Sequence, residues 1–222
     1  MSQPSRPAAF FDLDRTLISV NSAFLYASYE RRQGRISLPQ YLRAAFWMSM
    51  YHLSLINMEK AFAEAVRQYR GAFADDLARI TEEFFHREVT PTFQPGAARA
   101  LEFHRAREHP LVLLTASSSF MSQLASQTWE LDHWIGNRFP TDEEGRLRGT
   151  FERPMCYGAG KVFHAQRWAE DSGVDLSASY FYTDSYSDLP MLEAVGHPRV
   201  VNPDPRLLRH AQETGWPIED WA

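Results

Sequence analysis

The chain has 222 residues and a mass of 25.6 kDa, enough for one globular domain or one domain with a sizeable insertion. With 44% hydrophobic and 14% aromatic residues it can build a packed core, which excludes a disordered chain. A net charge of −5 lacks the basic excess of a nucleic-acid binder, and a single cysteine, Cys156, excludes an intrachain disulfide.

Met1 to Pro7 is polar and lacks the apolar stretch of a secretory signal, so a cytoplasmic protein is expected. The run Ala8-Ala9-Phe10-Phe11 then ends at Asp12 and reads as a strand buried on both faces of a parallel sheet. No strand pattern follows over residues 19–90. Helices are expected there over 21–34, 38–53, 57–71 and 74–88, with Gly34, Gly71 and the Pro91 to Pro95 stretch as stops. Residues 44–58 contain no Asp, Glu, Lys or Arg but fall short of the roughly 20 apolar residues of a membrane span. A buried or oligomer-forming helix is the expectation, leaving a homo-oligomer open and stable membrane insertion excluded.

From Pro91 onward strands and helices alternate. A helix over 97–107 precedes the strand Leu111-Val112-Leu113-Leu114, which ends at Thr115, and a helix over 120–131 follows. An acidic turn, Asp142-Glu143-Glu144-Gly145, predicts a β-hairpin between 138 and 151. Next come a helix over 161–171, the strand Tyr180-Phe181-Tyr182-Thr183 ending at Asp184, a helix over 189–195, and a strand at Arg199-Val200-Val201. The alternation predicts an α/β core, a parallel sheet built from residues 1–18 and 91–222, with an all-helical insertion from 19–90. Such a sheet places its ligand beyond the carboxyl ends of its strands.

Three polar motifs fall at those ends, and a fourth opens a helix. Asp12-Leu13-Asp14-Arg15-Thr16 holds two carboxylates two residues apart, suited to act as nucleophile and proton donor; an acidic turn cap is the ordinary alternative. Thr115-Ala116-Ser117-Ser118-Ser119 offers hydroxyls and successive N–H groups for a phosphate, or a plain helix N-cap. Gly158-Ala159-Gly160-Lys161 opens a helix without being a Walker loop, and by itself its lysine reads as a solvated surface residue. Asp184-Ser185-Tyr186-Ser187-Asp188 straddles a strand-to-helix turn, where its carboxylates can hold a hard cation; Asp188 can also cap the next helix.

Acid, hydroxyl, lysine and acid in that order resemble the haloacid dehalogenase superfamily, in its phosphoserine phosphatase-like branch with a helical cap (subfamily IB). FFDLDRTL, LVLLTASSS, CYGAGKV and YTDSYSDLPML match its four motifs, and the likeness spans nearly the whole chain. The resemblance implies a Rossmann-like three-layer αβα core, a cap inserted after the first strand, and a Mg²⁺-dependent phosphomonoester hydrolase. Asp12 is then the nucleophile that forms an aspartyl-phosphate. Asp14 protonates the leaving alcohol and later activates water. Thr115, Ala116, Ser117 and Lys161 bind the phosphoryl group. Mg²⁺ sits on Asp12, Asp184 and the Asp14 backbone carbonyl, with Asp188 as an outer acid.

The physics agrees, because a carboxylate attacking an anionic phosphoryl group needs cations and N–H groups to offset repulsion. Asp14 also favours a phosphatase, since dehalogenases need no leaving-group acid at that position. Three residues depart from the family pattern: Arg15 where small or neutral residues are familiar, Thr183 for a usual Gly, and Thr115 for a frequent Ser. The cap, rich in aromatics such as Phe24, Tyr26, Tyr29, Phe46 and Trp47, points to a small organic phosphate. Histidinol phosphate or a related amino-alcohol phosphate is the leading expectation. A lipid-derived phosphate, phosphoserine, or a catalytically silent binding protein of the same fold are the alternatives. Cys156, given no role in this chemistry, is expected to be a packed structural residue.

Overall fold

The apolar runs become the strands of one parallel sheet. The computed structural model describes residues 6–42 and 58–221. In it β1 (Ala9–Phe11), β2 (Leu111–Ser118), β3 (His133–Asn137), β4 (Tyr180–Thr183), β5 (His197–Val201) and β6 (Ile218–Glu219) lie in the order β3-β2-β1-β4-β5-β6. Every pairing is parallel. The helices in chain order are α1 (Ser22–Arg32), α2 (Met58–Arg67), α3 (Ala74–Phe84), α4 (Pro95–Arg105), α5 (Ser119–Thr128), α6 (Ala159–Ser172), α7 (Leu189–Ala194) and α8 (Pro205–Thr214).

The chain divides into two compact units, one of Met1–Ser19, Phe93–Asn137 and Arg153–Ala222, the other of Val20–Thr92 and Arg138–Glu152. In the first, β1 is central: Phe11 lies in register with Leu113 of β2 on one side and Tyr182 of β4 on the other. The strand order runs outward from β1 in both directions, so the topological switch point falls between β1 and β4. Alternation along β1 builds the layers. Phe10 packs with Phe181, Val112, Ala165 and Ala169 of α6, and Leu207 of α8. On the opposite face Phe11 stacks on Tyr182 at 4.8 Å and meets His104 of α4 edge-on. Helices thus cover both faces.

The sequence reading missed two strands of this unit. β3 (His-Trp-Ile-Gly-Asn) has no apolar run because it is an edge strand burying chiefly Ile135 and Asn137. β6 is only two residues long. The strand expected to end at Thr115 continues to Ser118, which caps α5 by accepting from the Met121 N–H.

In the second unit Asn21 caps α1 by accepting from the Phe24 N–H. Tyr29 is fully buried, packs on Phe84 of α3, and donates its hydroxyl to Glu83. The helix expected to run to residue 88 changes pitch instead: α3 passes into a π-helical turn, Phe85–Val89, that buries Phe85 and Val89. The expected hairpin is a turn with isolated antiparallel bridges rather than a ladder. Thr141 pairs with Leu147, and Asp142 Oδ1 accepts from the Glu144 and Arg146 N–H groups. Residues 138–152, assigned to the core from sequence, group with the helical unit, where Arg146 also bridges to Phe73. The helix expected over 38–53 and the uncharged stretch 44–58 fall, beyond residue 42 and before Met58, outside the described residues. No helix among the described residues is long and apolar enough to cross a membrane.

Candidate active site

Polar side chains gather at the carboxyl ends of the three central strands. Asp12 directly follows β1, and Asp184 directly follows β4. Thr115 lies in β2, two residues beyond the partner of Phe11. Between Leu114 and Ser118 the β2–β3 register shifts, so Thr115, Ala116 and Ser117 occupy the irregular stretch. Thr115 is buried, and its Oγ1 accepts from the Ser117 N–H at 3.2 Å.

Lys161 enters from the first turn of α6. Gly160 lies so close to the Met155 carbonyl oxygen that any Cβ would strike it, and Gly158 adopts φ 52°. Lys161 is only 2% exposed, which corrects the surface reading of this residue. Its Nζ donates to Asp12 Oδ1 at 2.8 Å and to Asp188 Oδ2 at 2.7 Å. A buried ammonium persists only with such partners. Burial alone would lower its pKa; the two carboxylates outweigh that and raise it, so Lys161 is charged.

The carboxylates show the converse. Burial pushes Asp12 up, to about 7, against the pull of Lys161 and with repulsion from Asp188. Asp184 is held well above the usual carboxylate range, first by burial and then by Asp12 and Asp188, with the Arg15 charge acting the other way. Two buried carboxylates, Asp12 and Asp188, therefore share the buried Lys161 cation, and Asp184 adds a third buried acid that both repel. Among the described residues no three His, Cys, Asp or Glu side chains form a metal cage. Asp12 and Asp184 nevertheless supply two hard oxygen donors on adjacent strands, where added positive charge would relieve the repulsion. Two carboxylates suit a hard divalent cation that completes its shell with waters and substrate oxygens.

Further polar groups, some outside the four motifs, bond to these residues and to their backbone. The Thr183 hydroxyl donates to Asp188 Oδ2 at 2.7 Å. Asp188 makes no side-chain cap to α7, so its carboxylate serves Lys161 and Thr183 rather than the helix expected from sequence. The Asp204 N–H donates to the Asp184 carbonyl at 2.8 Å, and its carboxylate accepts from the Tyr186 N–H. Asn137 donates to the Ala116 carbonyl at 2.7 Å and accepts from the Cys156 N–H at 2.9 Å, tying the β2 segment to the approach to Lys161. Cys156 itself is fully buried, and burial pushes its thiol up to about 12, which leaves it inert. Asp14 is half-buried in the turn after β1, pairing with Ile18; Arg15 is exposed with φ 56°.

The chain is similar to known proteins along most of its length. The model of the haloacid dehalogenase-like hydrolase family matches residues 9–193. The chain is 31% identical to a probable phosphatase of Mycobacterium tuberculosis, over 96% of this chain and 75% of that one. It is 25% identical to a histidinol-phosphatase of Neisseria meningitidis, over 95% and 96% of the respective chains. A crystal structure from Bordetella pertussis Tohama I, of a protein of unknown function, superposes with a TM-score of 0.88 at 30% identity, covering 98% of this chain and all of that one. With the four motifs assembled at one sheet end and the family model matched across them, the chain belongs to the haloacid dehalogenase-like hydrolases.

Proposed function

We propose that the protein is a Mg²⁺-dependent phosphomonoester hydrolase working through an aspartyl-phosphate on Asp12. The observation that carries this reading is the buried Lys161 ammonium held between Asp12 and Asp188. A protonated lysine there offsets the repulsion between the Asp12 carboxylate and an incoming phosphoryl group. Asp12 attacks phosphorus, the ester P–O bond breaks, and its electron pair stays on the departing alcohol oxygen, which takes a proton from Asp14. Asp14, now ionised, accepts a proton from the water that attacks the phosphorus of the intermediate, releasing inorganic phosphate and regenerating Asp12. The Thr115 hydroxyl and the Ala116 and Ser117 N–H groups hold the non-bridging oxygens. Asp12, Asp184 and the Asp14 carbonyl would hold Mg²⁺, which would supply further charge neutralisation at the phosphoryl group. Asp188 keeps Lys161 aimed.

For substrate we propose a small organic phosphate of the amino-alcohol class, supported by the aromatic character of residues 20–30 and by the histidinol-phosphatase of N. meningitidis. The test is phosphate release from amino-alcohol, sugar, nucleotide and lipid phosphates with and without Mg²⁺. Asp12→Asn should lower turnover by several orders of magnitude. Unchanged turnover by that variant would overturn the mechanism, and highest kcat/KM on nucleotides or sugar phosphates would overturn the substrate class.

A further inference from the structure

One buried amide grips the turn that carries Asp14 from outside. Within the turn the Ile18 N–H donates to the Leu13 carbonyl at 3.0 Å, while the Thr16 and Leu17 N–H groups make longer bonds of 3.3 and 3.4 Å. Arg15 sits at φ 56°, a conformation that a residue with a Cβ holds only when its surroundings enforce it. Gln94 supplies that enforcement. Its Nε2 donates to the Thr16 carbonyl at 2.6 Å and lies 3.2 Å from the Arg15 carbonyl and 3.5 Å from that of Ile18. Its backbone N–H donates to the Leu17 carbonyl at 2.9 Å. Its Oε1 accepts from Asn202 Nδ2 at 2.9 Å, and Asn202 Oδ1 accepts from the Trp221 N–H at 3.1 Å. Gln94 is 2% exposed.

The residue type is informative. Gln94 is the N-cap of α4, a position that favours Ser, Thr, Asp and Asn, and its side chain makes no capping bond. The amide therefore answers to the turn and not to the helix.

We infer that Gln94, itself oriented by Asn202, is a positioning residue for Asp14. By fixing the carbonyls of Arg15 and Thr16 it fixes the backbone on which Asp14 is carried, and so the direction of proton transfer to the leaving alcohol. The inference rests on the phosphatase reading above. It has a signature that a merely structural role lacks. An alkoxide must be protonated as its P–O bond breaks, whereas p-nitrophenolate departs without a proton, so a misplaced acid penalises alkyl esters selectively.

The test measures kcat/KM, which reports the steps through leaving-group departure, for O-phosphoethanolamine and for p-nitrophenyl phosphate. Gln94→Met keeps the side-chain length without a donor. It should lose about 10²-fold on the alkyl ester and less than about threefold on the aryl ester. Equal losses on both esters would overturn the inference. Should Gln94→Met not fold, Asn202→Ala, which leaves the Gln94 donor in place but unoriented, should show the same ordering with a smaller loss; equal losses there overturn it too. Inactivity of the unaltered protein on both esters would instead remove the phosphatase reading, and the inference with it. An active protein whose variants lose uniformly removes the inference alone.

Discussion

The Thr183 hydroxyl and the Lys161 ammonium donate to the same oxygen, Asp188 Oδ2, each at 2.7 Å. Asp188 is 2% exposed, so these two donors replace much of the water its charge would otherwise hold. The glycine usual at position 183 in the phosphatases that the motifs resemble has no hydroxyl. In this chain the side chain preceding Asp184 shares the Asp188 carboxylate with Lys161, and the Ser185 N–H in turn points at Thr183 Oγ1 from 3.3 Å.

Thr183→Val keeps the shape and removes the donor. Hydrogen bonds to charged groups contribute about 1.5–3 kcal/mol, and that loss of stability is expected for the variant in urea unfolding. Thr183→Ser, which keeps the hydroxyl, should lose less. Equal midpoints for the Val variant and the unaltered protein would show that Asp188 does not depend on Thr183.

Lys161→Met tests the buried triad more severely. Breaking a buried ion pair from one side costs about 3–5 kcal/mol, because the partner charges stay behind uncompensated. Here those are Asp12 and Asp188, with Asp184 adding its repulsion. The pH response gives the sign. Asp12 already has a folded pKa raised to about 7, and the variant loses the lysine that opposes the rise. Between the unfolded and folded values the folded state binds more protons, so stability falls as pH rises through the folded pKa. The variant should therefore regain stability as pH is lowered from about 8 to about 6. Urea midpoints at the two pH values decide it; a variant as stable as the unaltered protein at the higher pH would mean that Lys161 compensates nothing.

A divalent cation on Asp12 and Asp184 should register without any turnover. A ligand at 100 times its dissociation constant stabilises the folded state by about 2.7 kcal/mol. At about 2–4 °C per kcal/mol for chains of this size, saturating Mg²⁺ should raise Tm by roughly 5–10 °C. Asp184→Asn, which removes one charged donor and relieves Asp12 of a like charge, should raise Tm in the absence of Mg²⁺ and abolish most of the Mg²⁺ increment. An increment that survives the substitution would place the cation elsewhere.

The contrast between Asp188 and Asn137 shows what the sequence made legible. β1, β2 and β4 are buried on both faces, so each reads as an apolar run, and the polar residue that ends each run marks the sheet edge where ligands bind. Spacing could therefore bring Asp12, Thr115, Asp184 and Asp188 to attention, whereas Lys161 stood out only through the family resemblance. It could not show that Lys161 is buried, nor that Gly160 beside it lies against the Met155 carbonyl. Asn137, Gln94 and Asn202 were illegible for a different reason. Each works through partners far away in the chain, Asn137 and Gln94 by bridging backbone groups and Asn202 by joining Gln94 to the Trp221 N–H, a role that leaves no local pattern. Thr183 did leave a trace, as a departure from the expected glycine, but only the structure shows its partner.

The buried imidazole on the other face of the sheet gives a pH dependence of opposite sign. His104 is fully buried, with Nε2 at 3.0 Å from the Tyr182 hydroxyl and Nδ1 at 2.9 Å from His109 Nδ1. Across that last contact one ring donates and the other accepts, so the two imidazoles cannot both carry a proton there. Burial, reinforced by His109 and Arg107, lowers the His104 pKa to about 3. The unfolded chain takes up that proton near pH 6.5 and the folded chain does not until about 3, so the unfolded state binds more protons throughout the interval. The His104 contribution to stability is thus lost as pH falls below about 6.5, by about 2 kcal/mol at pH 5. Asp12 and Asp184, with raised pKa values, act in the opposite sense between pH 7 and 5 but are common to both proteins, so the difference between variant and unaltered protein isolates His104. His104→Gln should start less stable at pH 7, having lost the aromatic contact with Phe11, yet show a shallower decline in urea midpoint down to pH 5. Parallel declines for the two proteins would mean that His104 is already protonated in the folded state.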